Sequence, residues 1–336
     1  MDAKNIIIAT GSEPNSLPVA TGLATDEKYV VSSTGALTLD KIPKKMVVIG
    51  GGVIGLEMGS VYQRLGTEVT VVQHGPVICP FLDAEIAKSF QQTLKKQGMK
   101  FKLNSGVSDG VNNKENGVIV NVKNEKGEIE ALDCDVCLVS IGRHAFTGGL
   151  NLDKAGVSSN DRGQVNINDH WQTEVPGIYA IGDAVKGQML AHKAEEEGIA
   201  AVENILGEGG HVNYDCIPGV IYTYPEVANV GKSEEELKAA GIAYNKGKFP
   251  FAANSRARTN GDFEGMVKML SCKETDKILG VWIIGPNAGE MISEGVLAME
   301  YGASSEDVSR TCHAHPTLSE AFKEAAMACH DKPIHF

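Results

Sequence analysis

The segment KMVVIGGGVIGLEMGSVYQRLGTEVTVVQ, Lys45–Gln73, constrains the fold more than any other part of this chain. An apolar run of strand length leads into a glycine turn, then a helix-compatible stretch, then Gly66 as a stop and a second apolar run. This is one βαβ unit, and it places the chain among α/β proteins with a Rossmann-like module. Gly50, Gly52 and Gly55 form G-x-G-x-x-G at the strand–helix junction. The first glycine permits the tight turn and the second lets a pyrophosphate approach the backbone. The third lets helix and strand pack closely, with the amides of the helix start facing the anion. The second strand ends in Val72-Gln73-His74, where such units carry an acidic residue for the adenosine ribose. Gln73 can bond a hydroxyl but lacks the charge that rejects a ribose phosphate, and no Arg or Lys follows closely to hold one. NAD is the expected dinucleotide; a solvated strand end is the plainer reading of Gln73.

The rest of the chain organises around this unit. A strand in NIIIATG precedes it, and a helix is expected around Asp83 to Gln97. A hairpin-like pair follows near Gly117–Val122 and Glu128–Leu132, then a strand into Ile141-Gly142-Arg143. GIYAIGDAV and MLAHKAEEEGIAAVENILG read as strand and helix. From about Asn213 come strand signals at Val220–Tyr224, Met266–Leu270 and Ile278–Ile284, then three helical segments, the pattern of an α+β domain. With 31 basic against 43 acidic residues and a net charge of −12, nucleic acid is not an expected partner. No apolar run approaches the roughly 18 residues of a membrane span, and no targeting segment is visible. Seven scattered cysteines form no disulfide framework and point to a reducing compartment. Cys134 and Cys137 are close, but their segment reads as one strand, on which i and i+3 face opposite ways, so buried thiols are expected.

Near the end stands CHAHPTLSEAF, Cys312–Phe322. Pro316 biases His315 toward an extended backbone, and Thr317 with Glu320 reads as a T-x-x-E capping box. The helix it starts would bury Leu318, Phe322 and Ala325. A carboxylate accepting from one imidazole nitrogen fixes the tautomer and raises the basicity of the other. That arrangement suits a general base acting on a thiol, whose pKa of about 8.5 leaves it mostly protonated at neutral pH. From the residues alone two plainer readings stay open: Glu320 serves only the cap, or the H-x-H pair with Cys312 binds a metal. His313 is read as structural.

Taken together, IIIATGS, VVIGGGVIGLEMGSVYQRLG, LVSIGR, GIYAIGDAV, MLAHKAEEEG, YPEVANVGKSEEEL, GKFPFAANSRA and CHAHPTLSEAF stand in an order that resembles the dihydrolipoamide dehydrogenase family, within the pyridine nucleotide-disulfide oxidoreductases. The likeness runs over essentially the whole chain. It implies a partial FAD domain at 1–37, an NAD-binding domain at 38–148, a central FAD-domain segment at 149–212 and an α+β dimerisation domain at 213–336. It implies FAD and NAD as cofactors and no resident metal. The implied reaction is FAD-dependent oxidation of protein-bound dihydrolipoamide with NAD reduction, in cell redox homeostasis. The implied partners are a second copy and the lipoyl domains of 2-oxo acid dehydrogenase complexes, in the mitochondrial matrix, or the cytoplasm if the source is bacterial. On the flavin side the resemblance assigns Thr10, Gly11 and Ser12, then Asp183, which would bond the ribityl chain, and Met189, Leu190, Ala191 and His192 near the ring. On the NAD side it assigns Gly50, Gly52, Gly55, Glu57, Gln73, Val107 and Gly142. His315 becomes the base, reaching across the dimer, and Glu320 its partner.

The family also has an FAD-binding βαβ unit followed by two cysteines five residues apart that form the redox disulfide. Here the G-x-G-x-x-G at Gly50 stands alone and no C-x-x-x-x-C occurs. The resemblance therefore implies roughly a hundred or more preceding residues, and a chain that by itself binds NAD weakly, holds little or no flavin and turns over no dihydrolipoamide. A non-catalytic NAD-binding and dimerisation module is the alternative. CHAHPTLSEAF argues against a glutathione- or mercury-type reductase.

Overall fold

The apolar runs on either side of the glycine turn become neighbouring parallel strands. In the computed structural model, which describes residues 3–336, β4 (Lys45–Ile49) pairs with β5 (Glu68–Val72), Met46 opposite Val69 and Val48 opposite Val71. α2 (Val53–Arg64) connects them. A parallel strand is covered on both faces, so Met46, Val47 and Val48 are consecutive, apolar and all buried. α3 (Ala84–Lys96) begins where Asp83 accepts the N–H groups of Glu85 and Ile86, at 3.1 and 3.4 Å. Its buried residues Ile86, Phe90 and Leu94 recur at the helical period and pack toward the sheet. The sheet order is β3-β10-β4-β5-β6, all parallel, with β3 (Val30–Val31), β6 (Lys100–Lys102) and β10 (Val136–Val139). The short α1 (Ser33–Ala36) follows β3, and an antiparallel layer of β7 (Ser105–Asn112), β8 (Val118–Asn124) and β9 (Ile129–Cys134) precedes β10.

Cys134 and Cys137 do not share one strand. β9 ends at Cys134 and β10 starts at Val136 because Asp135 steps between layers: its carboxylate accepts the N–H of Lys45 at 2.8 Å and its own N–H donates to Lys45 O at 3.0 Å. Both thiols are buried and free, and burial pushes Cys134 up to about 12.

The contacts divide the chain into two units, residues through Ser16 with Ile141–Tyr214, and Leu17–Ser140 with Asp215–Phe336. The resemblance implies functional segments bounded at 37/38 and 148/149; the contacts group the strands as follows. β3 already belongs to the parallel sheet, and β11 (Arg143–Ala145) pairs with β2 (Ser12–Pro14). In the first unit β1 (Ile6–Ile8) lies parallel to β12 (Ile178–Ala180), and α4 (Ala191–Leu206) packs Ala200 and Ala201 around Trp171.

The second unit continues with an antiparallel sheet, order β13-β14-β17-β16-β15. Its strands are β13 (Gly219–Ile221), β14 (Glu226–Gly231), β15 (Tyr244–Pro250), β16 (Met266–Cys272) and β17 (Ile278–Gly285). Alternate residues of β17 serve two cores: Trp282 and Ile284 join the nucleotide-type module, while Val281 and Ile283 join the helical layer. That layer contains α7 (Ala288–Glu300), α8 (Ser305–Arg310) and α9 (Glu320–Met327); α5 (Glu234–Ala239) and α6 (Ser255–Asn260) sit in the connections. β7, β14 and β15 carried no strand signal. Their runs SGVSDGVN, EVANVG and YNKGKFP are rich in residues that sheets disfavour, and pairing with apolar neighbours holds them.

Candidate functional site

Each glycine of the turn meets a different constraint. Gly50 has φ +109°, a region closed to most side chains. A Cβ on Gly55 would stand 2.2 Å from Gly50 O and 2.6 Å from Ser140 Oγ, so only glycine lets α2 approach the sheet here. A Cβ on Gly52, the N-cap of α2, would meet nothing within 4 Å. The backbone there borders open space at a helix N-terminus, room for a pyrophosphate. Gln73 Oε1 accepts the N–H of Gly51 at 2.9 Å, which ties the end of β5 to the turn. β7, which carries Val107, begins beside it, Ser105 N–H donating to Gln73 O at 3.0 Å.

Glu57 lies further along α2 and accepts the N–H of Tyr222 at 2.8 Å, while burial pushes its carboxyl above the ordinary range. Cys79 packs beneath the turn, its Sγ 3.6 Å from Gly51 O, with its thiol pushed up to about 12 by burial and by the charge of Glu57. Gly142 belongs to the other unit, at φ +102°, and its carbonyl accepts Asn15 N–H at 3.0 Å.

In that unit, Asp183 follows the end of β12 in a 3-10 turn, Gly182–Ala184. Ser12 Oγ donates to Asp183 Oδ2 at 2.5 Å. Arg143 Nε donates to Ser12 Oγ at 2.7 Å and Nη2 to Ser12 O at 2.6 Å. Thr10 Oγ1 donates to Phe146 O at 2.6 Å, and Gly11 O accepts Phe146 N–H at 2.9 Å. Met189 precedes Leu190, whose extended backbone leads into α4, which opens with Ala191 and His192. Arg143 is the residue that motif reading passed over, although it stands in LVSIGR; only the pairing of β2 with β11 shows that it holds Ser12.

His315 Nδ1 lies 2.9 Å from Glu320 Oε1, and the side chain is 67% exposed. Glu320 Oε2 accepts Thr317 N–H at 2.9 Å. Burial alone would raise the Glu320 carboxyl, but this N–H and His315 hold it below its ordinary value. The capping box forms only by half. Thr317 Oγ1 donates to Ala314 O at 2.7 Å instead of capping, and the helix starts at Glu320, with Ser319 at the N-cap position. The expected apolar face is present: Phe322 and Ala325 are buried and Leu318 packs against them. His313 turns to a different carboxylate, Nε2 2.6 Å from Glu294 Oε1, with Nδ1 3.0 Å from Thr311 O. The two histidines therefore do not converge, and among the described residues no three His, Cys, Asp or Glu are grouped to hold a metal.

Residues 1–198 match the pyridine nucleotide-disulphide oxidoreductase family and residues 217–326 its dimerisation domain. The chain is 60% identical over 333 residues to dihydrolipoyl dehydrogenase 2, mitochondrial, of Arabidopsis thaliana, covering 99% of itself and 65% of that protein. It is 57% identical over 337 residues to the mitochondrial dihydrolipoyl dehydrogenase of Dictyostelium discoideum, covering 100% of itself and 68% of that protein. Thus it spans about two thirds of the length of these relatives. Among solved structures, LpdA from Mycobacterium tuberculosis superposes with a TM-score of 0.88 at 27% identity, over 96% of this chain and 69% of that one. By its sequence and its fold, this chain belongs to the pyridine nucleotide-disulphide oxidoreductases.

Proposed function

We propose that this chain supplies the NAD-binding, flavin-contacting and proton-transfer residues of a dihydrolipoyl dehydrogenase, oxidising protein-bound dihydrolipoamide and reducing NAD. The observation that carries this reading is the His315–Glu320 pair, 2.9 Å apart, with His315 exposed on the loop before α9 and Glu320 opening that helix, both within the matched dimerisation domain. Glu320 accepts from Nδ1, which leaves Nε2 to take a proton from a substrate thiol. The thiolate so formed is the nucleophile, and its negative charge is offset by the imidazolium, itself paired with Glu320. No two of the described cysteines are joined in a disulfide, so the disulfide that the thiolate attacks is not among the described residues.

The residues fit both cofactors. The open backbone at Gly52 and the turn at Gly50 suit a dinucleotide pyrophosphate, and Gln73 suits an unphosphorylated ribose. Asp183, bonded by Ser12 Oγ, which Arg143 in turn holds, suits the hydroxyls of a ribityl chain. When bound, these groups supply the acceptance and passage of electron pairs. On this reading 1–37 and 149–212 serve the flavin, 38–148 NAD, and 213–336 pairing with a second copy. The relatives' names, dihydrolipoyl dehydrogenase and mitochondrial, support a dihydrolipoyl substrate and a mitochondrial location; the matrix, and lipoyl domains of 2-oxo acid dehydrogenase complexes as partners, belong to the proposal.

The test is coexpression with a full-length dihydrolipoyl dehydrogenase subunit whose own base is replaced by glutamine. Heterodimers regain dihydrolipoamide oxidation if the reading holds and stay inactive if it does not.

A further inference from the structure

Behind Asp183 lies an ion pair that the proton-transfer and nucleotide residues do not account for. Lys193 and Glu197 stand one turn apart on α4, their side chains 1% and 0% exposed, with Nζ 3.1 Å from Oε1. A buried pair of this kind gives up the hydration of both charges and is seldom more stable than an apolar pair of the same size. What an apolar pair cannot do is hold the backbone, and here both charges hold the same residue. Glu197 Oε2 accepts the N–H of Gly182 at 2.7 Å, and Lys193 Nζ donates to the carbonyl of Gly182 at 3.1 Å. The peptide groups on both sides of the Gly182 Cα are thus fixed by one ion pair.

Gly182 needs such a hold. It sits at φ +68°, and α4 passes so close that a Cβ would lie 3.0 Å from Ala194 Cβ. Glycine is the residue with the widest choice of backbone states, so an unheld glycine would let the next side chain swing. That next side chain is Asp183, whose carboxylate meets Ser12 Oγ. The far side of the pair is closed as well: Tyr214 Oη donates to Glu197 Oε1 at 2.8 Å, and Trp171 Nε1 donates to Tyr214 Oη at 3.2 Å. Burial and the charge of Glu197 push the Tyr214 phenol up to about 12, which keeps it a donor.

We propose that Lys193 and Glu197 are positioning residues of the flavin site: their ion pair clamps the Gly182 backbone and thereby aims the Asp183 carboxylate at the ribityl hydroxyls. The aim at flavin rests on the function proposed above; the clamp itself does not.

Amide hydrogen exchange on the wild-type chain, on Glu197→Gln, and on the double variant Lys193→Met with Glu197→Leu separates the two. In the wild type the Gly182 amide exchanges among the slowest of its unit. In the double variant Gly182 and Asp183 exchange at least about tenfold faster while Ala200 and Ala201 in α4 keep their protection. Glu197→Gln, which retains an acceptor for Gly182, falls between. Fast exchange of Gly182 in the wild type, unchanged exchange in the double variant, or uniform loosening of all of α4 overturns the clamp. Should the double variant fail to fold, the wild type and Glu197→Gln decide. Titration with FAD, followed by flavin fluorescence, then reads the aim. Affinity at least about tenfold weaker in the double variant supports positioning, and equal affinity overturns it. A wild-type chain that takes up no FAD by itself is what a chain with one G-x-G-x-x-G unit is expected to do; the aim is then read with the matching substitutions in a full-length dihydrolipoyl dehydrogenase, where weaker flavin retention in the double variant supports positioning and equal retention overturns it.

Discussion

The carboxylate of Glu320 does two jobs at once: one oxygen lies 2.9 Å from His315 Nδ1 and the other accepts the N–H of Thr317 at 2.9 Å. Base and loop are therefore held by the same group. Glu320→Gln keeps a hydrogen-bond acceptor but removes the charge that steadies the imidazolium. In a complemented dimer it is expected to lower kcat by about ten- to a hundredfold, less than removal of the base itself. Steady-state dihydrolipoamide oxidation measures this, and an unchanged kcat contradicts the role.

Lys268 is buried on β16 and binds three carboxylates, from α3 with its cap and from α5, with Asp83 Oδ1 at 2.7 Å, Glu234 Oε1 at 3.0 Å and Glu85 Oε2 at 3.3 Å. Asp83 caps α3 and also accepts the N–H of Glu234 at 3.3 Å, so this cluster joins the nucleotide-type module to the antiparallel sheet. Lys268→Ala leaves those charges without their buried partner and is expected to cost about 3–5 kcal/mol in denaturant unfolding.

The same cluster sets a pH dependence. Burial alone would raise the Glu234 carboxyl, but Lys246, Lys268 and Lys238 hold it well below the usual range. Its contribution is present above the unfolded pKa of about 4.3 and is lost as pH falls toward the lower folded value. Lys268 is shifted the other way, for although burial lowers it, Asp83 and Glu234 raise it above its ordinary value. Its contribution is present below the unfolded pKa of about 10.4 and is lost as pH rises through the folded one. Urea midpoints measured from acid to alkali are expected to fall at both ends, and Glu234→Gln to flatten the acid limb.

The glycine turn separates stability from binding. Gly55→Ala places a Cβ 2.2 Å from the backbone at Gly50, so it is expected to destabilise the fold by about 1–3 kcal/mol. Gly52→Ala meets nothing within 4 Å and should leave the unfolding midpoint unchanged, while filling the space for the pyrophosphate and weakening NADH binding. Paired melts and NADH fluorescence titrations distinguish the two, and equal losses in both assays for both variants contradict this assignment.

How far the sequence carries follows from where the information lies. The βαβ unit was legible because Gly50, Gly52 and Gly55 each answer a local steric demand. The His315–Glu320 pair was legible because its members stand only five positions apart in the chain. Arg143 on Ser12, Lys193 and Glu197 on Gly182, and Lys268 on Asp83 were not, since each is a side chain meeting a distant backbone or charge that only the folded chain brings near. The capping box misled for a related reason: Thr317 Oγ1 found Ala314 O, a competitor that the T-x-x-E spacing does not reveal.

The most direct measurement compares this chain and its His315→Gln variant, each coexpressed with a full-length dihydrolipoyl dehydrogenase subunit lacking its own base, with heterodimers confirmed by native mass. The wild-type chain is expected to restore NAD reduction by dihydrolipoamide, and His315→Gln to lower it by about 10²–10⁴-fold. Restored activity that is indifferent to His315→Gln, or heterodimers that form and remain inactive, would contradict the account.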